Sequence, residues 1–242
     1  MSLSDSFSFS ARRYDFLTRL NPGYRRELRA AARQLAEALR EQPPERPLIW
    51  DLGCGTGLST RALLKTLPQA RIVGIDASAG MLAEARTKSW PDGTRFVLGR
   101  VEQLEHNSAP ELVEAPDAIF AAYLLRNVPR QHRTDVLKSL QRQLKPGAPL
   151  VLHDYSVSES RFAQVKWTIV CFAIIIPLGT LAGAKTSLFI YLWRSVMDND
   201  STQTVLGRLG AAGLHNVAVS TARGWHRRIL HTYQAVKPGS RS

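Results

Sequence analysis

Apolar residues follow two alternating spacings along this chain, and the alternation predicts strands and helices in turn. Short apolar runs that end at glycine or an acid indicate buried strands. The segments between them place apolar side chains three or four positions apart, which is typical of amphipathic helices. Strands separated by such helices favour a parallel sheet covered on both faces. The predicted strands are 48–53, 70–76, 94–99, 117–125, 149–155, 216–222 and 228–236, and the predicted helices are 12–40, 58–67, 81–88, 131–144 and 202–213.

Composition narrows the class of protein and of partner. The 242 residues are 44% hydrophobic and 21% charged, which fits one globular domain and excludes a disordered, collagen-like or coiled-coil chain. The net charge of +12 favours anionic partners, meaning nucleic acid, an acidic membrane surface or phosphorylated ligands. The two cysteines, Cys54 and Cys171, are too few for a disulfide framework, and residues 1–10 are polar. We therefore expect a cytoplasmic protein without a signal peptide.

A glycine-rich loop follows the first predicted strand. Asp51 lies on that strand, and the glycines 53, 55 and 57 lead into a helix. Glycine lets a backbone approach a ligand closely, and the helix N-terminus offers unpaired N–H groups. Asp76 ends the next strand, where a carboxylate can accept hydrogen bonds from ribose hydroxyls. This order of elements predicts a nucleoside-containing cofactor.

The glycine spacing leaves more than one ligand open. A dinucleotide site prefers GxGxxG, whereas GCGTG behind an acid suits S-adenosylmethionine, which carries an amino acid and no pyrophosphate. A glycine turn without a ligand is the third alternative. The stretch LIWDLGCGTGLST (48–60) resembles the first motif of class I S-adenosylmethionine-dependent methyltransferases. The likeness continues through 75–82, 117–128 and 144–152 and covers about residues 46–156.

This resemblance implies a fold, a cofactor and its contacts. The fold is a Rossmann-like seven-stranded sheet of parallel strands plus a C-terminal antiparallel strand, with a helical cap. The cofactor is S-adenosylmethionine, with Met81 and the backbone around Val101 at its adenine. Many relatives carry an acid after the third strand, where this chain has Arg100. The implied cofactor-binding residues are Asp51, Gly53, Gly55, Gly57, Asp76, Ala77, Met81, Val101 and Tyr123.

Motifs outside the cofactor region resemble the ubiquinone/menaquinone biosynthesis C-methyltransferases, which methylate a ring carbon of a prenylated quinol. They are Arg-Tyr-Asp (13–15), Leu-Arg-Asn-Val (125–128), His-Asp-Tyr-Ser (153–156), IIIPLGTLAG (174–183), Tyr-Leu-Trp-Arg-Ser (191–195) and the ending HRRILHTYQAVKP (226–238). Three departures leave the acceptor ring open. The usual asparagine is displaced to Asn21, Asp154 replaces a glutamate, and Gly-Trp-His-Arg-Arg replaces the pattern Gly-Gly-Ile-Val.

The second resemblance implies Arg126, Asn127 and Tyr14 beside the acceptor. A ring carbon becomes nucleophilic when the neighbouring hydroxyl loses its proton. An arginine can stabilise the oxyanion, and an asparagine or tyrosine can hold a water that takes the proton. Asp154 and His153 are the next candidates for accepting that proton. The plain alternatives are a surface or phosphate-pairing role for Arg126 and a packing role for Tyr14 and His153.

The sequence gives weaker support for other functions. The histidines show no metal-ligand spacing, so we expect no metal site. The helix at 12–40 carries eight arginines against three acids, yet no RNA-binding consensus or Asp/Asn-Pro-Pro-Tyr motif accompanies it. We therefore expect a hydrophobic small-molecule acceptor and no nucleic acid. A phospholipid or other hydrophobic metabolite as acceptor of O- or N-methylation, a non-catalytic protein of the same fold, and a homodimer stay open.

An apolar stretch interrupts the strand–helix pattern at 167–183 and resumes at 186–193. Its seventeen uncharged residues approach the about 20 that span a bilayer. Pro177 and Gly179 interrupt it, and the strands at 216–236 should rejoin the sheet, which a single crossing would prevent. Core packing is the plain alternative. We expect two short helices, broken near Pro177, that cover an acceptor channel and rest on the inner face of a membrane.

The sequence thus predicts one methyltransferase domain over 1–242. Its parts are an N-terminal helical cap (1–45), a cofactor-binding core (46–156), an apolar helical cap (157–200) and a closing helix with strands (201–237). Basic side chains would meet anionic head groups. They are Arg12, Arg13, Arg19, Arg25, Arg26, Arg227 and Arg228.

Overall fold

Seven strands form one mixed sheet in the computed structural model, which describes residues 23–39, 44–181 and 186–239. The order across the sheet is β3-β2-β1-β4-β5-β7-β6, with β7 antiparallel to both neighbours and every other pair parallel. The predicted Rossmann-like sheet with a C-terminal antiparallel strand is confirmed. The strands are β1 (Leu48–Leu52), β2 (Arg71–Asp76), β3 (Thr94–Leu98), β4 (Ala118–Ala122), β5 (Pro149–Tyr155), β6 (His215–Thr221) and β7 (Leu230–Val236).

Seven α-helices lie within the described ranges, and serine side chains cap three of them. Ser78, Ser160 and Ser201 each accept a hydrogen bond from a backbone N–H in the first turn of the helix that follows. The helices are α1 (Tyr24–Ala38), α2 (Leu58–Thr66), α3 (Ala79–Arg86), α4 (Arg133–Gln143), α5 (Arg161–Leu181), α6 (Thr186–Met197) and α7 (Thr202–Ala211). Tyr14, Arg12, Arg13 and Arg19 lie outside the described residues.

Two apolar layers cover the sheet. On one face, residues such as Trp50 and Leu152 pack with α4 and α7. On the other, Ile49 and Val151 pack with α1, α2 and α5. All residues of β1, β4 and β5 are buried, as a parallel sheet with helices on both faces requires. The result is a three-layer α/β/α sandwich.

The order of the strands reverses at β1, which places a crevice at one edge of the sheet. β1 pairs with β2 on one side and with β4 on the other. The loops after β1 and β4 therefore run apart at their carboxyl ends. Ligands of open α/β sheets bind at this point.

Helices α5 and α6 form the cap hairpin (161–197), whose residues 182–185 lie outside the described ranges. The expected break near Pro177 is wrong, because α5 continues through this proline to Leu181. A π turn at Cys171–Ile175 precedes the proline, and the Ile176 N–H donates to the Cys171 carbonyl five residues back. A proline lacks a donor and crowds the preceding turn, and one extra residue in that turn relieves the conflict without ending the helix.

Helix α5 is the one helix of the described ranges whose length and composition suit a membrane crossing. Its most apolar 18-residue window has a mean hydropathy of 1.7, and 22% of that window is buried. Its inner side chains Ala163, Trp167 and Cys171 are buried at four-residue spacing. Its outer side chains are exposed and also apolar: Phe162, Val165, Ile169 and Phe172.

Asp200 fastens the exit of the cap hairpin to the sandwich. Its carboxylate lies 2.9 Å from Arg133 and 2.8 Å from Arg208. Arg130 pairs with it at 3.1 Å. Arg133 and Asp200 are both buried, at 4% and 1% exposure, so neither charge can rely on water.

Replacing Asp200 with alanine leaves the Arg133 guanidinium buried without its carboxylate. We expect Asp200→Ala to lower the free energy of unfolding by about 3–5 kcal/mol, measured by urea denaturation followed by circular dichroism.

Asp135→Ala is the matched control. Asp135 pairs with Lys138 at 3.6 Å on the exposed face of α4, and its loss should change stability by less than about 1 kcal/mol. Similar losses in the two variants would contradict a special role for the Asp200 cluster.

Candidate active site

The glycine loop between β1 and α2 is tight at one end and open in the middle. The φ angles of Gly55 and Gly57 are 55° and 86°, in the left-handed region that side chains disfavour. A Cβ at Gly57 would lie 2.6 Å from the Trp90 ring, whereas a Cβ at Gly55 would meet nothing within 4 Å. The open space at Gly55 lets a ligand approach the backbone.

Asp76 ties the loops after β1 and β2 together. Its Oδ2 accepts the Gly55 N–H at 2.8 Å, and its Oδ1 accepts the Ser78 N–H at 2.8 Å. Burial raises the pKa of Asp76, and the two N–H groups lower it. A carboxylate has about four acceptor positions, so Asp76 can still accept ribose hydroxyls.

Asp51 joins the end of β1 to the first turn of α2. It is fully buried, and its Oδ2 accepts the hydroxyls of Ser59 and Thr60 at 2.7 Å and 2.6 Å. Burial raises the pKa of Asp51 to about 7, although these two hydrogen bonds lower it. Its Oδ1 is buried and has no hydrogen-bond partner within the described part of the chain.

A cavity of about 550 Å³ runs from the glycine loop to the cap hairpin. Three of the predicted residues do not line it: Asp51, Gly57 and Asp154. Tyr14 lies outside the described residues. The predicted residues that line the cavity are Gly53, Gly55, Asp76, Ala77, Met81, Val101, Tyr123, Arg126 and Asn127.

One carboxylate of the cavity was missed by the sequence argument. Within the described ranges, the acids that line the cavity are Asp76 and Glu102. Glu102 lies 3.6 Å from Arg100, beside the buried Val101. Arg100 occupies the position that usually carries the acid, and an acid two residues later in a short helical turn was the available signal.

Arg126 and Asp154 form a buried ion pair between the ends of β4 and β5. The guanidinium Nη1 donates to Asp154 Oδ1 at 2.6 Å, and the Arg126 backbone N–H donates to Oδ2 at 3.1 Å. The side chains are only 8% and 5% exposed. The guanidinium also lies 5.5 Å from the centre of the Tyr123 ring and 5.8 Å from that of Tyr155. Arg126 thus faces the cavity, and Asp154 holds it in place.

Asn127 lies beside Arg126 with both ends of its amide engaged. Its Nδ2 donates to the Tyr123 carbonyl at 3.0 Å, and its Oδ1 accepts the Tyr191 hydroxyl at 3.1 Å. Tyr191 comes from α6 and also lines the cavity. Sequence reasoning assigned Tyr191 no role, because this contact joins positions 64 residues apart.

Tyr123 has a strained backbone at the centre of an aromatic wall. Its φ of 59° is unusual for a residue with a side chain. Its ring stacks on Tyr24 at 5.1 Å and on Tyr155 at 5.2 Å, and its N–H donates to the His153 carbonyl at 2.7 Å. Strain of this kind is concentrated at functional sites.

The structure does not bring His153 into the cavity. Its imidazole is buried, and Nδ1 lies 2.9 Å from the Thr232 hydroxyl. Burial lowers the pKa of His153 to about 3, so the ring is neutral at physiological pH.

Comparisons with known proteins identify the chemistry of this crevice. Residues 49–147 match a family model described as a methyltransferase domain. The ubiquinone/menaquinone biosynthesis C-methyltransferase of Stutzerimonas stutzeri is 28% identical over 195 residues, which are 78% of this chain and 72% of that protein. Residues 49–147 are thus a methyltransferase domain, and the chain is an S-adenosylmethionine-dependent methyltransferase.

Other relatives differ in the acceptor that their names state. Trans-aconitate 2-methyltransferases of Methylobacterium nodulans and Deinococcus radiodurans are 39% and 32% identical to this methyltransferase. The matches cover 50% and 56% of this chain, and 43% and 51% of those relatives. The chain therefore spans about half the length of these two proteins.

Solved structures share the fold of this methyltransferase. A plantazolicin methyltransferase in complex with a substrate analogue and S-adenosylhomocysteine has a TM-score of 0.65 at 15% identity, covering 98% of this chain and 95% of its own. Human N-acetylserotonin methyltransferase in complex with S-adenosylmethionine has a TM-score of 0.57 at 14% identity, covering 89% of this chain and 56% of its own.

The residues of the crevice fit S-adenosylmethionine. Gly55 leaves room at the backbone, Asp76 has acceptor positions for ribose hydroxyls, and Met81 with Val101 gives an apolar surface for the adenine. In the described ranges no three histidine, cysteine or acidic side chains are grouped so as to hold a metal ion.

Removing the Asp76 carboxylate should weaken cofactor binding. Asp76→Ala leaves ribose hydroxyls and the Gly55 N–H without their acceptor, so we expect the affinity for S-adenosylhomocysteine to fall by about 1–3 kcal/mol in calorimetry. The exposed Asp92→Ala should bind as the wild type does. Unchanged affinity in Asp76→Ala would remove this residue from the site.

The raised pKa of Asp51 predicts a pH dependence of stability. The native state holds this proton up to about pH 7, whereas the unfolded chain releases it near pH 4. The protonated Asp51 carboxyl thus makes its full contribution to stability below about pH 4. This contribution is lost as the pH rises from about 4 through 7. Relative to the wild type, Asp51→Asn should gain up to about 4 kcal/mol in free energy of unfolding between pH 4 and 8.

Urea denaturation at several pH values measures this difference, with the exposed Asp92→Asn as control. A difference between Asp51→Asn and the wild type that stays constant with pH would show that Asp51 titrates normally.

Proposed function

We propose that this methyltransferase methylates a ring carbon of a hydrophobic, prenylated quinol at the surface of a membrane. One observation carries the proposal: a single cavity joins the glycine loop to an apolar cap, with the Arg126–Asp154 pair between the two ends. The similarity to the quinone C-methyltransferase of S. stutzeri, which extends over 78% of this chain, supports the same acceptor class.

Arg126 has the position and charge to stabilise an oxyanion. When the acceptor hydroxyl gives up its proton, the negative charge would face a guanidinium shielded from water by Tyr123 and Tyr155. The bound cofactor supplies a methyl group on a sulfonium, which is already activated. The ring carbon would then form the new C–C bond as the bond between the sulfur and the methyl carbon breaks. The hydroxyl proton and the ring carbon's own proton would both pass to water, and loss of the second restores the aromatic ring. The protein contributes alignment and charge stabilisation.

The cap end of the cavity suits an apolar acceptor. It is lined by hydrophobic side chains of the cap hairpin, and the one charge among them is Lys166. The lining residues from the hairpin are Lys166, Trp167, Val170, Ile174, Ile175, Leu178, Gly179, Leu188, Phe189, Tyr191 and Leu192. An isoprenoid tail gains from leaving water here, whereas a tricarboxylate does not.

The outer side of α5 suits a membrane surface. Phe162 and Ile169 are 74% and 60% exposed, and Val165 and Phe172 continue the same stripe. Basic residues lie nearby: Arg26 reaches the loop between β6 and β7 at Gly224, and the positive charges of Arg26 and Lys166 both act on His226 in that loop. An apolar stripe beside basic side chains favours an anionic bilayer.

Contact along the surface fits the fold better than a crossing. The two ends of the cap hairpin meet on the sheet, where Asn199 Nδ2 donates to the Tyr155 carbonyl at 2.6 Å and Ser156 Oγ to the Asp200 carbonyl at 2.7 Å. Helix α6 has 12 residues, about 18 Å of helix, and cannot recross a hydrocarbon core of about 30 Å.

The acceptor class is tested with purified protein and S-adenosylmethionine labelled on its methyl group. The candidates are a short-tail prenylated naphthoquinol, the matching benzoquinol, phosphatidylethanolamine and trans-aconitate. We expect label in a quinol product that survives both alkaline hydrolysis and hydriodic acid. A C–CH₃ bond resists both treatments, whereas alkali cleaves a methyl ester and hydriodic acid cleaves an aryl methyl ether. Label only in the phospholipid or only in a labile ester would replace the proposal.

Loss of the Arg126 guanidinium should affect turnover and spare the cofactor. We expect Arg126→Ala to lower turnover of the quinol by about 10²–10³-fold, with S-adenosylhomocysteine affinity in calorimetry close to that of the wild type. Arg142→Ala is the control, since the Arg142 side chain is 57% exposed and pairs with Glu105 rather than with the Asp200 cluster. Near-normal turnover in Arg126→Ala would contradict the assignment.

Membrane contact should depend on both charge and the apolar stripe. We expect the protein to sediment with anionic vesicles at low salt and to be released at high salt. Ile169→Asp with Phe172→Asp should weaken this binding by about 3 kcal/mol or more. Val113→Asp is the control, because Val113 is 83% exposed elsewhere. Equal binding to neutral vesicles would exclude the electrostatic part, and equal binding of the double variant would exclude the stripe.

A further inference from the structure

The cap hairpin is held over the cavity almost entirely by apolar contacts. Trp167 packs on Tyr155 at 5.1 Å between ring centres, and Cys171, Phe189 and Val196 are buried in the same cluster. Within the residues that the structure describes, its outer stripe stays exposed, with Phe162 and Ile169 at 74% and 60%. Dispersion and burial resist separation of the hairpin but do not fix one orientation as a directional bond does.

One polar contact between the hairpin and the sandwich is such a directional bond. Within the described ranges, the hydrogen bond from the Tyr191 hydroxyl to Asn127 Oδ1, at 3.1 Å, is the one side-chain hydrogen bond between residues 161–197 and residues 44–155. It joins the middle of α6 to the loop after β4. It forms only when α6 lies over the cavity.

The orientation of Asn127 depends on this contact. The Asn127 amide is held at one end by the Tyr123 carbonyl, which accepts from Nδ2 at 3.0 Å. Without Tyr191, this one hydrogen bond alone restrains rotation of the whole amide about its χ2 bond. With both ends engaged, one Nδ2 hydrogen and one Oδ1 lone pair remain in fixed directions for an acceptor hydroxyl.

We propose that Tyr191 is a positioning residue that latches the cap hairpin and thereby orients Asn127 for the acceptor. Opening of the hairpin would break the bond, and closing would restore it. The acceptor site is therefore complete only under a closed cap. The inference rests on the proposed function for its catalytic part, and on geometry alone for the latch.

The latch is tested without any acceptor, by hydrogen–deuterium exchange of the protein with S-adenosylhomocysteine bound. Tyr191→Phe removes one hydroxyl and keeps the ring. One lost hydrogen bond should raise exchange in residues 186–197 by about two- to tenfold. Tyr233→Phe is the matched control, because the Tyr233 hydroxyl is buried without a hydrogen-bond partner in the described ranges. Equal exchange in the wild type and Tyr191→Phe would overturn the latch.

The positioning role is tested by turnover of the short-tail quinol in a double-mutant cycle with Asn127→Ala. We expect Tyr191→Phe to lower kcat by about ten- to a hundredfold with unchanged affinity for S-adenosylhomocysteine. In the Asn127→Ala background it should have almost no further effect on kcat, since Tyr191 acts through Asn127. Independent effects that multiply in the double variant would overturn the positioning role.

The two experiments separate the proposals. If no quinol is turned over but exchange rises in Tyr191→Phe, the latch stands and the quinol assignment fails. If the wild type turns over the quinol while Tyr191→Phe matches it in both kcat and exchange, the quinol assignment stands and the inference about Tyr191 fails.

Discussion

The buried ion pair of Arg126 and Asp154 is the interaction on which the arrangement of the cavity wall between β4 and β5 depends. Asp154 also accepts the N–H groups of Arg126 and Tyr155, at 3.1 Å and 2.9 Å. Taking two charges out of water is expensive unless their geometry is fixed by further hydrogen bonds. The carboxylate therefore holds the end of β5, the loop after β4 and the guanidinium in one arrangement, which faces the cavity.

The same pair is connected to the base of the cap hairpin. Arg133 donates to the Arg126 carbonyl at 3.2 Å and pairs with Asp200, where the hairpin rejoins the sandwich. Beyond this polar base, the hairpin meets the core through apolar packing and the Tyr191–Asn127 bond. Under the proposed function, a rigid base with an apolar, weakly fastened end would let a hydrophobic acceptor enter without disturbing the charged groups. The charged groups proposed to act on the acceptor and the hairpin proposed to admit it are thus different parts of the fold.

The region around the glycine loop is built differently, because backbone N–H groups rather than a charged side-chain pair define its geometry. The glycine loop and the Asp76 carboxylate hold N–H groups and open space in place, and this arrangement needs no particular acceptor. Relatives with different named acceptors share the methyltransferase domain with this chain. The cap hairpin lies outside the matched residues 49–147, and we propose that it decides the acceptor.

The sequence by itself determined the strands, most helices, the glycine loop and Asp76, because these depend on local spacing and on turns that only glycine adopts readily. It also determined that the last strands return to the sheet. Only the tertiary structure decided that Glu102 and Tyr191 line the cavity while Asp51 and Asp154 do not. It also decided that α5 continues through Pro177, where a π turn absorbs the proline. The cavity lining depends on contacts between residues far apart in the chain. The course of α5 depends on a choice between two backbone geometries at the proline. Neither produces a periodic pattern in the sequence.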